Sequence, residues 1–169
     1  MKKIFIVSLL FISFMFSEQI QLGLVNVNLY NEMLKNFRDV EIKFKYDQST
    51  DQILMYTYDF RTTVHILNKE DREIFISMFD KYIEWNEKAI SKEVTLEKTI
   101  EIDLVVRGVF KSVDDWHWSC ERPSNSIVAG FFSQNTKRHQ LVLSFGKIQS
   151  CSNKYIDHKP DQLYVDYEE

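Results

Sequence analysis

A chain of 169 residues, 44% of them hydrophobic, is long enough to build one domain with a real core. Its 25 acidic and 21 basic side chains give a net charge of −4, and no lysine or arginine block stands out. That excludes the basic surface on which nucleic-acid binding depends, and interspersed charges of both signs read as a solvated exterior.

Lys2 and Lys3 precede an unbroken apolar or small run from Ile4 to Phe16. A short basic head followed by an apolar core is the layout of a secretory signal peptide. The run covers 13 residues. As a helix it would span roughly 20 Å, short of the ~30 Å hydrocarbon core of a bilayer. A permanent anchor is therefore not expected. The expected cut falls between Ser17 and Glu18, although Met15 stands where a small residue is preferred. No cysteine follows the run, so no lipid tether is expected. The organisation read from this is a signal peptide over 1–17 and a single globular α+β domain over 18–169, exported to the periplasm or secreted. Cleavage removes Lys2 and Lys3 and leaves 152 residues with 19 basic and 25 acidic side chains. Only two alanines (Ala89, Ala129) and an excess of lysine over arginine fit a low-GC bacterial coding bias, which also explains the alanine-poor cleavage site.

Residues 20–38 alternate early and contain a short helix candidate near Asn31–Phe37. From Asp39 the alternation is clean. Val40, Ile42, Phe44 and Tyr46 share one face and Glu41, Lys43 and Lys45 the other, as in a half-buried strand. The polar stretch Asp47–Asp51 is a turn. Gln52–Phe60 and the β-branched Thr62–Leu67 are two further strands.

One long helix is expected over about residues 69–90, with Asn68 as N-cap and Glu70 and Asp71 at the positive end of the dipole. Phe75, Phe79, Tyr82, Ile83 and Ile90 fall on its apolar side. Glu84 and Lys88 are spaced to pair at i, i+4. Asn86 lies amid the apolar face, where a polar amide is expected to tie the helix to a neighbouring backbone. Val94–Val106 alternates again, with Gly108 placed to bend or end that strand. Strands follow at Ile127–Ser133, His139–Ile148 and Gln162–Tyr167, the first two joined as a hairpin through Gln134–Lys137.

Strands in runs around a single helix, without βαβ alternation, define the fold class. It is α+β, with a mainly antiparallel β-sheet of about six or more strands and the helix packed on it.

The densest chemistry lies in Asp114–Arg122. Trp116, His117 and Trp118 are candidate ligand contacts, because indoles offer large, rigid, amphipathic surfaces. On a strand both tryptophans share a face, and core filling is the favoured role for such a pair. Cys120 and Cys151 are the only cysteines, which in an exported chain reads first as a disulfide. A zinc site built from His117, Cys120, Cys151 and His158 is the sharper alternative, but its spacing is loose. A cysteine hydrolase using Cys120 or Cys151 with His139, His117 or His65 has no local support. Serine-hydrolase, dinucleotide, P-loop, zincin and EF-hand motifs are missing. No catalytic, metal or cofactor site is therefore assigned. The leading expectation is an exported non-catalytic protein that binds a ligand or an envelope or extracellular partner through sheet surface or loops. An exported hydrolase with a spatially assembled site, and a carrier of a small apolar ligand, are the alternatives. A deep polar pocket with shifted pKa values would favour the enzyme. An apolar cavity would favour the carrier, and an unpaired sheet edge a protein partner.

Overall fold

The computed structural model describes residues 19–31, 34–58, 61–119, 125–134 and 138–166. The expected signal peptide and Cys120 lie outside these residues.

The alternating first third folds into four successive antiparallel strands, β1 (Gln19–Asn31), β2 (Asn36–Asp47), β3 (Gln52–Tyr58) and β4 (Thr62–Leu67). Among the described residues near Asn31–Phe37 no helix forms. β1 runs through to Asn31 and turns at Lys35, whose φ of 53° is left-handed. The Asn31 side chain holds the turn by accepting from the Leu34 N–H at 2.7 Å. Tyr30 and Phe37 then meet across the hairpin with ring centroids 4.9 Å apart, a cross-strand aromatic contact that outweighs the weak helical signal.

The helix, α1 (Lys69–Ser91), begins with a capping box. Asn68 accepts from the Asp71 N–H, and Asp71 accepts from the Asn68 N–H. Its buried stripe is Phe75, Met78, Tyr82, Asn86 and Ala89, spaced three and four apart as a 3.6-residue period requires. The stripe is rotated from the expected one: Phe79 and Ile90 are half-buried, and Ile83 is 43% exposed. Asn86 is fully buried, and neither atom of its amide has a hydrogen-bond partner among the described residues. The expected tie to a backbone is not there.

The remaining strands are β5 (Leu96–Ser112), β6 (Asp115–Trp118), β7 (Asn125–Gln134), β8 (Arg138–Phe145), the short β9 (Ile148–Gln149) and β10 (Asp157–His158), and β11 (Gln162–Asp166). Neighbours run β4-β3-β2-β1-β11-β8-β7-β5, and β5 pairs back to β4, which closes an eight-stranded antiparallel barrel. The expectation of a sheet with a helix on one face is corrected to a closed barrel. The cause is β5. Its first part pairs with β7, a register shift between Ile100 and Leu104 bends it, and its last part pairs with both β4 and β6. Gly108 does not end this strand. It lies inside β5, and a Cβ there would come within 2.8 Å of Ile148 Cδ1, so its role is to admit that side chain.

Inward-facing residues of every wall share one core with the helix. Leu29, Met55, Leu141, Leu143 and Leu163 pack in the same cluster as Phe75, Met78 and Tyr82. The helix follows β4 and precedes β5, so it crosses the end of the barrel where those two strands leave and enter. Tyr82 Oη donates to the His139 carbonyl at 3.2 Å, fixing the helix to β8. The other end is covered by the β9–β10 pair, held by a Ser119–Ser150 bridge and by Arg61 donating to the Asp157 carbonyl at 3.0 Å.

Candidate functional site

Where α1 crosses the barrel mouth, helix and wall do not meet completely. Between them lies a cavity of about 280 Å³. Phe75, Ile76 and Phe79 roof it from the helix. Val25 and Val27 of β1, Ile42 and Phe44 of β2, and Met55 of β3 form one wall. Leu143 of β8 and Val165 of β11 complete it, and no polar atom is exposed in the lining. The strand residues of the lining arise from alternation. Val25 and Val27 share a face of β1, as do Ile42 and Phe44 on β2, so a barrel built from these strands must gather them inside.

The cavity has an opening where the pairing of β1 with β11 stops. β1 spans 13 residues, yet among the described residues only Asn28, Leu29 and Tyr30 pair with β11. Beyond Asn28 the two strands part, leaving an outer cleft bordered by Leu24–Asn28 on one side and Tyr164–Asp166 on the other. Val25, Val27 and Val165 line both this cleft and the cavity, so the cleft is the outer side of the same gap. Val25 is 43% exposed and Ile76 58% exposed, which makes the rim apolar. Asn28 spans the gap at its paired end, donating to Asp166 at 3.0 Å.

No titratable group lines the cavity. The groups with displaced pKa values sit outside the barrel, for local reasons. Hydrogen bonds from Arg72 and Tyr46 hold the Asp51 carboxyl below its usual range, and the same Asp51 contact raises Tyr46. Lys88, followed by Lys81, lowers Glu84, and burial raises Tyr56. Among the described residues no three histidine, cysteine or acidic side chains gather where a metal would need them. No helix among them is long and apolar enough to cross a membrane.

The tryptophans expected in the core are on the surface. β6 pairs with the end of β5, and alternation turns His117 inward while Trp116 and Trp118 face outward, 48% and 53% exposed. The core role for that pair is therefore incorrect. Side-chain size does not decide which face is inside; pairing with β5 does. Trp118 lies opposite Val109 and is covered by the Arg107 guanidinium at 5.8 Å. His117 packs 5.3 Å from the Phe110 ring, and its Nδ1 stands 3.3 Å from Ser150 Oγ. None of the three lines the cavity. Cys151 donates its backbone N–H to the Trp118 carbonyl at 2.9 Å, beside the Ser119–Ser150 bridge. The pairing with Cys120 falls outside the described residues. His139 is hydrogen-bonded to Ser133 Oγ at 2.9 Å.

The cavity residues were visible beforehand only as strand and helix faces. Phe75 and Phe79, and the Val40–Tyr46 alternation, carried the signal, but the gap between β1 and β11 had none. The chain matches no family model, no curated protein and no solved structure.

Proposed function

We propose that this is an exported, non-catalytic binding protein that carries a small apolar ligand beneath α1. The observation that carries the reading is the cavity's wholly apolar lining, reached through the gap between β1 and β11. Eight-stranded barrels are wide enough inside to hold one small ligand. Apolar cavities stay dry and take up apolar molecules, and a volume of about 280 Å³ lies just below the usual range for small-molecule sites. The absence of a displaced acid or base in the lining gives hydrolysis no support there.

A series of alkyl compounds of increasing length tests this. Each buried methylene is worth about 0.8 kcal/mol, so affinity should rise roughly fourfold per carbon until the cavity is filled, then level off. Val165→Phe, which places a ring in the gap, should weaken every member of the series. Affinity that is indifferent to chain length would refute the reading.

A second reading, recognition of an envelope or extracellular protein, draws on the outer half of β1. From Gln19 to Val27 that strand has no partner on its β11 side among the described residues, and Ile20, Leu22 and Leu24 are exposed. Such an edge is a template for strand addition. Leu22→Lys should abolish capture of a partner while leaving alkyl binding intact. Export itself rests on the basic head and apolar run of residues 2–16. An intact mass beginning at Glu18 is expected, and a mass retaining Lys2 and Lys3 would sink that part.

A further inference from the structure

On one side β1 is paired with β2 from Gln19 to Asn31, but on the other it meets β11 only near its end. Val165 and Asp166 continue β11, yet among the described residues neither pairs with β1. The two strands have therefore parted before β11 ends, and a cleft of about 780 Å³ lies between them. Folded proteins blunt such an edge with charged side chains, proline or a bulge. This one has a bulge, between Gln21 and Gly23, but neither a proline nor a charge anywhere in Gln19–Val27. The lack of charge stands out in a chain of which 27% is charged. Ile20, Leu22, Leu24 and Val25 are exposed along the edge instead.

The nearest charges lie one strand back, and their order has a direction. Val40, Ile42 and Phe44 of β2 turn inward to the core, so the alternate residues face outward. Lys45 and Lys43 stand opposite Gln21 and Leu24, while Glu41 and Asp39 stand opposite Asn26 and Asn28. Read along β1, the flank thus passes from two positive side chains to two negative ones. Two copies of an edge related by a twofold axis run antiparallel to each other. The positive flank of each then faces the negative flank of the other. The two β2 backbones would stand three strand spacings apart, about 14 Å, a distance that lysine and glutamate side chains bridge between them. A net charge of −4 makes two copies repel in general, and an uncharged seam with opposite charges across it removes that obstacle here.

We propose that the chain forms a symmetric dimer in which the outer half of β1 pairs, antiparallel, with the same segment of a second copy. The dimer rests on the same free edge as the protein-partner reading above, and makes that partner a second copy of this chain. The sheets of the two barrels join across the axis in the order β2-β1-β1-β2.

Leu24 is 47% exposed and lies close to the middle of Gln19–Val27, so its two copies come near each other across the axis. Leu24→Lys and Leu24→Glu each set like charges there, and an equimolar mixture of the two sets opposite ones. Sedimentation velocity of the full chain over a concentration series reads the outcome. The wild type should sediment as a dimer. Each variant alone should associate about tenfold or more weakly, and the mixture should recover most of that loss. A wild type still monomeric at about 100 µM overturns the dimer and leaves the edge to a different protein. A wild-type dimer that neither variant weakens overturns it too, and so does a weakened one that the mixture does not restore. If either variant does not fold, hydrogen exchange of the wild type decides. The amides of Ile20–Asn26 should lose protection on dilution to the monomer, and protection that is independent of concentration overturns the pairing.

Discussion

Asn86 offers the sharpest test of how the helix is held. Its side chain is fully buried in the stripe that α1 turns toward the barrel, and both its amide oxygen and nitrogen lack partners among the described residues. A buried amide without hydrogen bonds costs about 1–3 kcal/mol relative to water. Leucine shares the branched four-atom skeleton of asparagine, so Asn86→Leu removes that cost with overpacking held below about 1.5 kcal/mol. The expected result is a gain of about 1–2 kcal/mol. For a chain of this size that raises Tm by about 2–8 °C, using roughly 2–4 °C per kcal/mol. Urea denaturation should show a higher midpoint with an unchanged slope, since the surface exposed on unfolding stays the same. Alkyl binding should not change, because Asn86 lies two turns, about 10 Å, beyond Phe79. A loss of about 1 kcal/mol or more would refute the reasoning. It would restore the tie to a neighbouring group that the position in the sequence had implied.

Three further outcomes are expected. Arg72 and Tyr46 hold the Asp51 carboxyl below its ordinary value. A lowered carboxylate pKa contributes stability that is present above the unfolded value and is lost as pH falls through the folded one. Arg72→Ala should therefore destabilise near pH 7 and lose that effect below about pH 3, and an equal effect at both, read by urea denaturation, would contradict it. Trp116 and Trp118 should be quenched readily by acrylamide, and Trp118→Ala should cost well under the ~3–5 kcal/mol of a core aromatic. A cost in that range would return the residue to the core. A bond between Cys120 and Cys151 would close a loop of about 30 residues and contribute roughly 3–4 kcal/mol. Non-reducing mass spectrometry with thiol labelling should find no free thiol, and two free thiols in exported protein would rule the bond out.

Alternation was enough to place most strands, because each half-buried strand carries its own record of inside and outside. Val40–Tyr46 and Thr62–Leu67 are such cases, and β2 and β4 follow them closely. The Asn68 cap located the helix start to the residue. Closure was not legible, because it depends on β5 pairing with β4 on one side while serving β7 and β6 on the other. That is a property of which strands meet, and no single segment encodes it. The outward turn of Trp116 and Trp118 was hidden for a related reason. A period of two shows that they share a face, but only the partner strand shows which face is inside.

The candidate site was hidden more deeply, since it is made by a shortfall. Among the described residues β11 has five beside the 13 of β1, and the two share only three paired positions. A continuous wall would have Val27 and Val165 paired; among the described residues they are not, and Val25 is 43% exposed at the rim. The chain instead leaves the apolar faces of β1 and α1 in partial contact with water. That arrangement is unfavourable for folding alone, at about 25 cal/mol for each Å² left uncovered. An alkyl chain entering through the gap would cover the same surface and recover that loss. The feature that weakens the barrel as a folded object is thus the one that fits it to hold a ligand.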